Sequence, residues 1–266
     1  MNLMNLSALS QYLTLTLLLL SQSGCIAEAQ EAQERQEDPR KLEAQVSKCL
    51  SEGRYDEAAK NLDALISIDD QRVDYHFKLG DTRFMNGEMK QAIAAYDRAI
   101  ELAPALEPRC WQRGLAYYFA NEFELGKAQF DVHQTVNSQD VENSVWHLLC
   151  NSRLVGLEKA RDAMIPIQGD SRTPMPEVFK LFAGQGTANE VMQAATRDSQ
   201  SSDYNRRNHL YYAHLYIGLF HDMQGESELA VKSMKQASDI NPSSKSQLMG
   251  SVADVFLKLR DPKNRN

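Results

Sequence analysis

Glycine and proline are scarce in this 266-residue chain, at 13 and 8. A β-sandwich or barrel needs a turn about every 8–12 residues, so this scarcity disfavours both. Cysteine is rarer still, and four are too few for a disulfide scaffold. Basic residues are outnumbered, 29 Lys and Arg against 36 Asp and Glu, for a formal charge of −7. A nucleic-acid partner needs a basic face, so none is expected. The chain also lacks the Gly-rich phosphate loop, the H-E-x-x-H zinc helix, the G-x-S-x-G nucleophile elbow and the dinucleotide G-x-G-x-x-G. Gly184-Gln185-Gly186 reads as a helix break, because no strand precedes it. With no convergent polar cluster, the reading is a non-enzyme without metal or cofactor. What is present is 42% hydrophobic residues, enough to build a core and to exclude wholesale disorder.

The first 24 residues hold no Asp, Glu, Lys or Arg. Within them, Tyr12-Leu13-Thr14-Leu15-Thr16-Leu17-Leu18-Leu19-Leu20 forms an apolar block. A membrane-spanning helix needs roughly 20 apolar residues, so this block has the length of a signal-peptide core instead. Ser21-Gln22-Ser23-Gly24-Cys25 follows. Small residues before a Cys resemble the lipobox of bacterial lipoproteins, in which the thiol receives a diacylglycerol. The resemblance makes Cys25 the lipid attachment site, although Gln22 stands where the lipobox has Leu, Val or Ile. Ala27-Glu28-Ala29 offers a second processing site, and cleavage there would release a soluble periplasmic or secreted protein. The expected layout is a signal peptide over 1–24, a polar Gln/Glu-rich tether over 25–38 and a folded domain over 39–262.

The body of the chain repeats itself with a 34-residue period. Leu79-Gly80, Gly87, Ala92, Tyr96, Ala99 and Pro104 set the pattern. One period earlier stand Gly53, Ala58 and Leu62; one later stand Gly114, Tyr117, Gly126 and Phe130. Ile217-Gly218, Gly225, Ala230, Met234, Ala237 and Pro242 return to it near the end. These residues at this period resemble the tetratricopeptide repeat (TPR), a pair of antiparallel helices. Small residues let the helices approach closely, large ones fill the gaps, and Pro stops the second helix. The expected fold is all-α, a TPR-type right-handed helical solenoid of about five to six helix pairs. Repeats fall near 39–70, 73–104, 107–138 and 211–242, with degraded helix pairs over 141–205 and a capping helix over 244–260. Trp146 to Leu154 and Leu157 to Ile167 read as one degraded pair, and Gln168 to Pro174 and Asp198 to Asn205 as loops. Asp38-Pro39 and Thr187 with Glu190 read as helix starts.

A lipobox-like Cys, a polar tether, three repeats, a degraded middle and a returning repeat resemble the bacterial NlpI-type TPR lipoproteins. The stretches that carry this are Arg113-Gly114-Leu115-Ala116-Tyr117-Tyr118, Lys127-Ala128-Gln129, Trp146-His147-Leu148-Leu149 and Tyr216-Ile217-Gly218-Leu219. The resemblance implies a scaffold of the cell envelope, membrane-anchored through its lipid and facing the periplasm. It further implies a homodimer and protein partners that include cell-wall hydrolases and proteases. The alternative is a self-associating structural lipoprotein that uses no peptide-binding groove.

In a TPR superhelix the inward positions of each first helix form a peptide groove. Here those positions hold Phe77, Asp81 and Phe84 in one repeat and Trp111, Leu115 and Tyr118 in the next. That face is aromatic and apolar, as binding hot spots tend to be. The opposing reading makes them core, covered by returning C-terminal helices. The carboxylate-clamp type of TPR is excluded, since Ser47 and Asp81 stand where it needs Asn. Cys49, Cys110 and Cys150 lie among apolar neighbours and read as buried thiols, with a disulfide between two of them as the alternative. His209, His214 and His221 lack the spacing of a metal helix.

Overall fold

The computed structural model describes residues 38–197, 202–240 and 247–261. The signal segment 1–24, Cys25, the Ala27-Glu28-Ala29 site, nearly all of the tether, Pro242 and residues 198–201 and 244–246 lie outside the described residues. Contacts group the chain into two units, Met1–Leu42 and Glu43–Asn266. Only residues 38–42 of the first are described, and they begin α1 (Pro39–Ser51). The backbone N–H of Arg40 donates to Asp38 Oδ1 at 3.0 Å, so Asp38 holds this helix start as its sequence led one to expect.

The second unit is built of helix pairs. α2 (Tyr55–Ile68) comes next, and α3 (Val73–Met85) and α4 (Met89–Leu102) form a pair. A 3-10 turn, Pro104–Arg109, leads into α5 (Trp111–Phe119) and α6 (Phe123–Gln134). Then come α7 (Val141–Val155) with α8 (Leu157–Asp162), α9 (Met175–Phe182) with α10 (Ala188–Thr196), and α11 (Asp203–Met223) with α12 (Ser227–Ile240). α13 (Leu248–Arg260) closes the chain. Among the described residues every regular element is helical, and no helix is long and apolar enough to cross a membrane.

One spacing explains why these pairs close. A Cβ added to Gly80 would sit 2.5 Å from the ring of Tyr96. The same residue offset places Gly114 against Phe130, at 2.6 Å, and Gly218 against Met234, at 2.9 Å. Each first helix has no side chain at the point where the large residue of its partner helix presses in. Burying those large side chains contributes about 1.5–3 kcal/mol apiece.

Two boundaries differ from the sequence expectation. α8 stops at Asp162 rather than near Ile167, because Pro166 disfavours helical backbone at Ile165. The Ile165 carbonyl instead accepts from Ser144 Oγ at 2.7 Å. α11 begins at Asp203 rather than 211, because the Ser202 hydroxyl accepts from the N–H of Asn205 and Asp203 lies in the first turn. α13 begins at Leu248, after Gln247, and the expected start near Ser244 lies outside the described residues. The box of Thr187 with Glu190 forms as expected.

Two features place the candidate site. α7 packs against α5, α6, α8 and α9, and its residues from Asn143 to Asn151 are buried. α13 returns to pack against α3 and α5. Lys258 Nζ donates to the carbonyl of Asn86 at 2.7 Å across this return.

Candidate functional site

The six expected groove residues divide into two sets. Phe84, Leu115 and Tyr118 have no exposed surface and belong to the core, which corrects their reading as groove residues. The reason is the return of α13 onto α3 and α5, which covers this face with the chain's own last helix. Phe84 meets Phe119 edge-on at 5.8 Å. Tyr118 meets Phe119, Phe123 and Trp146 in the same manner, and the Arg260 guanidinium lies 4.8 Å from its ring centre. Phe77, Asp81 and Trp111 stay half-buried.

Phe77 and Asp81 are tied to the packing of their own repeat. Tyr96 Oη donates to Asp81 Oδ1 at 2.7 Å, and Phe77 lies edge-on to Tyr96 at 5.4 Å. Burial pushes the Asp81 carboxyl up to about 6, against the opposing pull of the Tyr96 hydroxyl.

Trp111 belongs to a different constellation. It opens α5 and lines a cavity of about 250 Å³ with Phe130 and His133 of α6, Asn143 and Trp146 of α7, and Met249 of α13. Tyr211 Oη donates to the Met249 carbonyl at 2.5 Å, which fixes α13 at this edge. His133 is held by its own ring, whose Nδ1 donates to the Pro108 carbonyl at 2.8 Å. Asn143 donates through Nδ2 to Gln134 Oε1 at 2.8 Å. Its own Oδ1 has no partner, and neither does the indole Nε1 of Trp146. Both residues are deeply buried, at 3% and 2% exposed. Leaving such groups unpaired costs about 1–3 kcal/mol each, and Gln112 Oε1, the His147 ring and Arg260 Nη2 share this state among the described residues.

The other wall is charged. Asp140, Glu142, Asn137 and Arg172 complete the lining. Asp140 caps α7 by accepting from the N–H of Glu142 at 3.0 Å. Arg172 reaches Asp140 at 2.6 Å, Glu142 at 2.8 Å and Asp170 at 2.7 Å, so one guanidinium is shared among three carboxylates. Glu142 also accepts from Tyr216 Oη at 2.8 Å. Burial raises the Glu142 carboxyl above the usual range, against the attraction of Arg172. Asp170 shows the reverse balance: burial acts to raise it, but bonds from Arg172 and the N–H of Val141 hold it low. Gln139 Oε1 accepts from the N–H groups of Gln168 and Gly169, at 2.9 and 3.0 Å, and docks the Arg172 loop beside α7.

Sequence reading placed Trp111 but missed Trp146, Asn143, Glu142 and Arg172 as its companions. One signal was available: the chain has two tryptophans, and both line this cavity. Cys49, Cys110 and Cys150 are buried, unpaired thiols, and burial pushes Cys110 up to about 12.

Residues 50–107, spanning α2 to the 3-10 turn, match the tetratricopeptide repeat family. No curated protein matches the chain. Among solved structures, one titled "Crystal structure of MamA protein" is similar at 16% identity, covering 76% of this chain and 91% of that chain, with a TM-score of 0.44. The fold is an all-α solenoid of TPR-type helix pairs, seen directly in the pairing of α3 with α4, α5 with α6 and α11 with α12.

Proposed function

We propose that this chain is a protein-binding scaffold, with its role in binding rather than catalysis. The observation that carries this is the aromatic and acidic cavity at Trp111, set among stacked helix pairs onto which α13 packs at α3 and α5. Helix-pair solenoids present extended surfaces on which partners are held by buried aromatic anchors. We further propose that the scaffold is exported and tethered through Cys25 in a bacterial envelope. The uncharged first 24 residues and Ser23-Gly24-Cys25 support that placement. Wall hydrolases and proteases are the partner classes that the lipoprotein resemblance brings forward.

The test is affinity purification of the tagged full-length chain from its native envelope fraction, with mass spectrometry of what co-elutes. A heterologous partner in defined stoichiometry, lost with Trp111→Ala, supports the scaffold and its site. Recovery of the chain alone, as an oligomer, overturns it in favour of a self-associating structural protein. Growth of the protein in labelled palmitate reads the tether separately: label must appear in the wild type and vanish with Cys25→Ser.

A further inference from the structure

A second cavity, of about 640 Å³, lies where the ends of α7, α11 and α13 meet the starts of α6 and α12. That volume falls within the roughly 300–1,000 Å³ of a small-molecule site. The cavity shares no lining residue with the one at Trp111. Its charged lining is Arg153, Arg260 and Asp222. Both guanidiniums lie against one oxygen, Asp222 Oδ2, Arg260 at 2.5 Å and Arg153 at 2.9 Å. Two cations therefore share one anion, and one unit of positive charge is left over. The surplus is within a ligand's reach. Arg153 meets Asp222 through Nη2, and 30% of its side chain is exposed, so donors of its fork remain for a second anion. The helix ends and helix starts gathered here carry partial charges of opposite sign that largely cancel. Glu122 and Glu226 adjoin the cavity in sequence but do not line it, and Glu226 lies 2.6 Å from His221 Nδ1.

The uncharged lining is mixed. Phe123, Val231 and Leu259 are half-buried and offer apolar surface, while Asn121 and Ser227 are exposed. Asn121 breaks a repeat rule. Gly53, Gly87 and Gly225 occupy one repeat position with φ of +70°, +76° and +80°, and the third repeat has Asn121 there at +63°. Glycine takes that conformation without cost, and Asn is strained by it. In exchange, the third repeat places a carboxamide at the cavity.

We propose that this cavity binds a small organic acid, one carboxylate on an apolar body. The carboxylate neutralises the surplus guanidinium through charge-assisted hydrogen bonds, with Asn121 and Ser227 as further donors. The apolar body lies against Phe123, Val231 and Leu259. A cation meets two guanidiniums, and a neutral apolar molecule leaves the surplus charge unanswered. The site stands independently of the scaffold reading.

The full ¹⁵N-labelled chain is titrated with 4-phenylbutyrate, with its neutral isostere 4-phenylbutanamide and with inorganic phosphate. The Gly225 and Ser227 amides and the Asn121 side-chain amide report on the cavity. Saturable movement of these signals by 4-phenylbutyrate, with the amide and phosphate each about tenfold weaker or more, supports the proposal. An equal response to the amide, a response to phosphate as strong as to the acid, or no movement with any of the three overturns it. Arg153→Gln removes the surplus charge and leaves Arg260 paired with Asp222, so it should weaken 4-phenylbutyrate by about tenfold or more. Unchanged affinity in that variant also overturns the proposal. Asn121→Gly installs the residue that the other repeats use, so it keeps the fold, and it should weaken the acid by about threefold or more. The comparison of acid, amide and phosphate needs no variant and decides the matter even if Arg153→Gln fails to fold.

Discussion

Tyr118 and Asp222 lie 104 positions apart and share a hydrogen bond of 3.0 Å. The same carboxylate oxygen receives Arg260 at 2.5 Å and Arg153 at 2.9 Å, so one anion joins α5, α7, the end of α11 and the end of α13. Asp222 and Arg260 are only 14% and 15% exposed. Removing the anion leaves two guanidiniums facing each other with reduced access to water. We expect Asp222→Ala to cost about 3 kcal/mol in urea unfolding, and Asp222→Asn somewhat less because it keeps an acceptor for Tyr118. Amides of α13 should lose hydrogen-exchange protection first, since Asp222 holds that helix down. A cost below about 0.5 kcal/mol would place these ion pairs among the inert surface kind.

The two tryptophans should separate stability from binding. Trp146 is 2% exposed and touches Tyr118 edge-on at 5.2 Å, so Trp146→Ala should cost about 3–5 kcal/mol. Trp111 is half-buried at the cavity rim, so Trp111→Ala should cost about half as much while weakening partner capture. Thermal unfolding of both variants, alongside the capture assay, checks the ranking. Equal destabilisation would make Trp111 a core residue.

The glycine contacts predict an order. Gly80→Ala drives a methyl group into the Tyr96 ring, which its bond to Asp81 holds in place. Gly114→Ala meets the Phe130 ring. Gly218→Ala meets the flexible end of Met234, which can swing aside. Overpacking costs about 1–3 kcal/mol, and the helix gains about 0.5–1 kcal/mol from Ala over Gly. Gly80→Ala and Gly114→Ala should therefore lose about 1–2 kcal/mol, and Gly218→Ala should be near neutral. Denaturant midpoints at constant m-value read this directly.

These glycines also mark what could be read in advance. Gly80, Gly114 and Gly218 announce their repeats because close helix contact forbids a side chain, a local requirement that leaves a periodic trace. α7 leaves a weaker trace. Buried on all sides, it has no polar face to alternate with an apolar one, so its period fades where its packing is tightest. The early stop of α8 was written in Pro166, and the early start of α11 in Ser202-Asp203. The return of α13 was not legible. It depends on contacts such as Lys258 with Asn86, 172 positions away, which no local pattern encodes. That return is what moved Phe84, Leu115 and Tyr118 from groove to core. The cavity was hidden for the same reason, since its walls come from α5, α6, α7, α13 and the Arg172 loop.

Asp81 makes stability depend on pH. Its carboxyl rises from an ordinary 3.8 to about 6 in the folded chain, chiefly through burial, with the Tyr96 hydroxyl pulling it back down. Between about pH 4 and 6 the folded state holds this proton more tightly than the unfolded one. The unfolded state then binds fewer protons, so stability falls as pH rises through that window and stays flat above it. The full shift corresponds to about 3 kcal/mol, and partial exposure of the side chain reduces the expected cost to about 1–2 kcal/mol. Asp81→Asn keeps an oxygen to accept from Tyr96 but has no charge to bury. It should therefore be more stable than wild type at pH 7.5 by about 1–2 kcal/mol, and equal to it at pH 4. Urea unfolding of both proteins at the two pH values checks this. A variant less stable than wild type at pH 7.5 would mean that the ionised carboxylate, through its bond from Tyr96, stabilises the repeat after all.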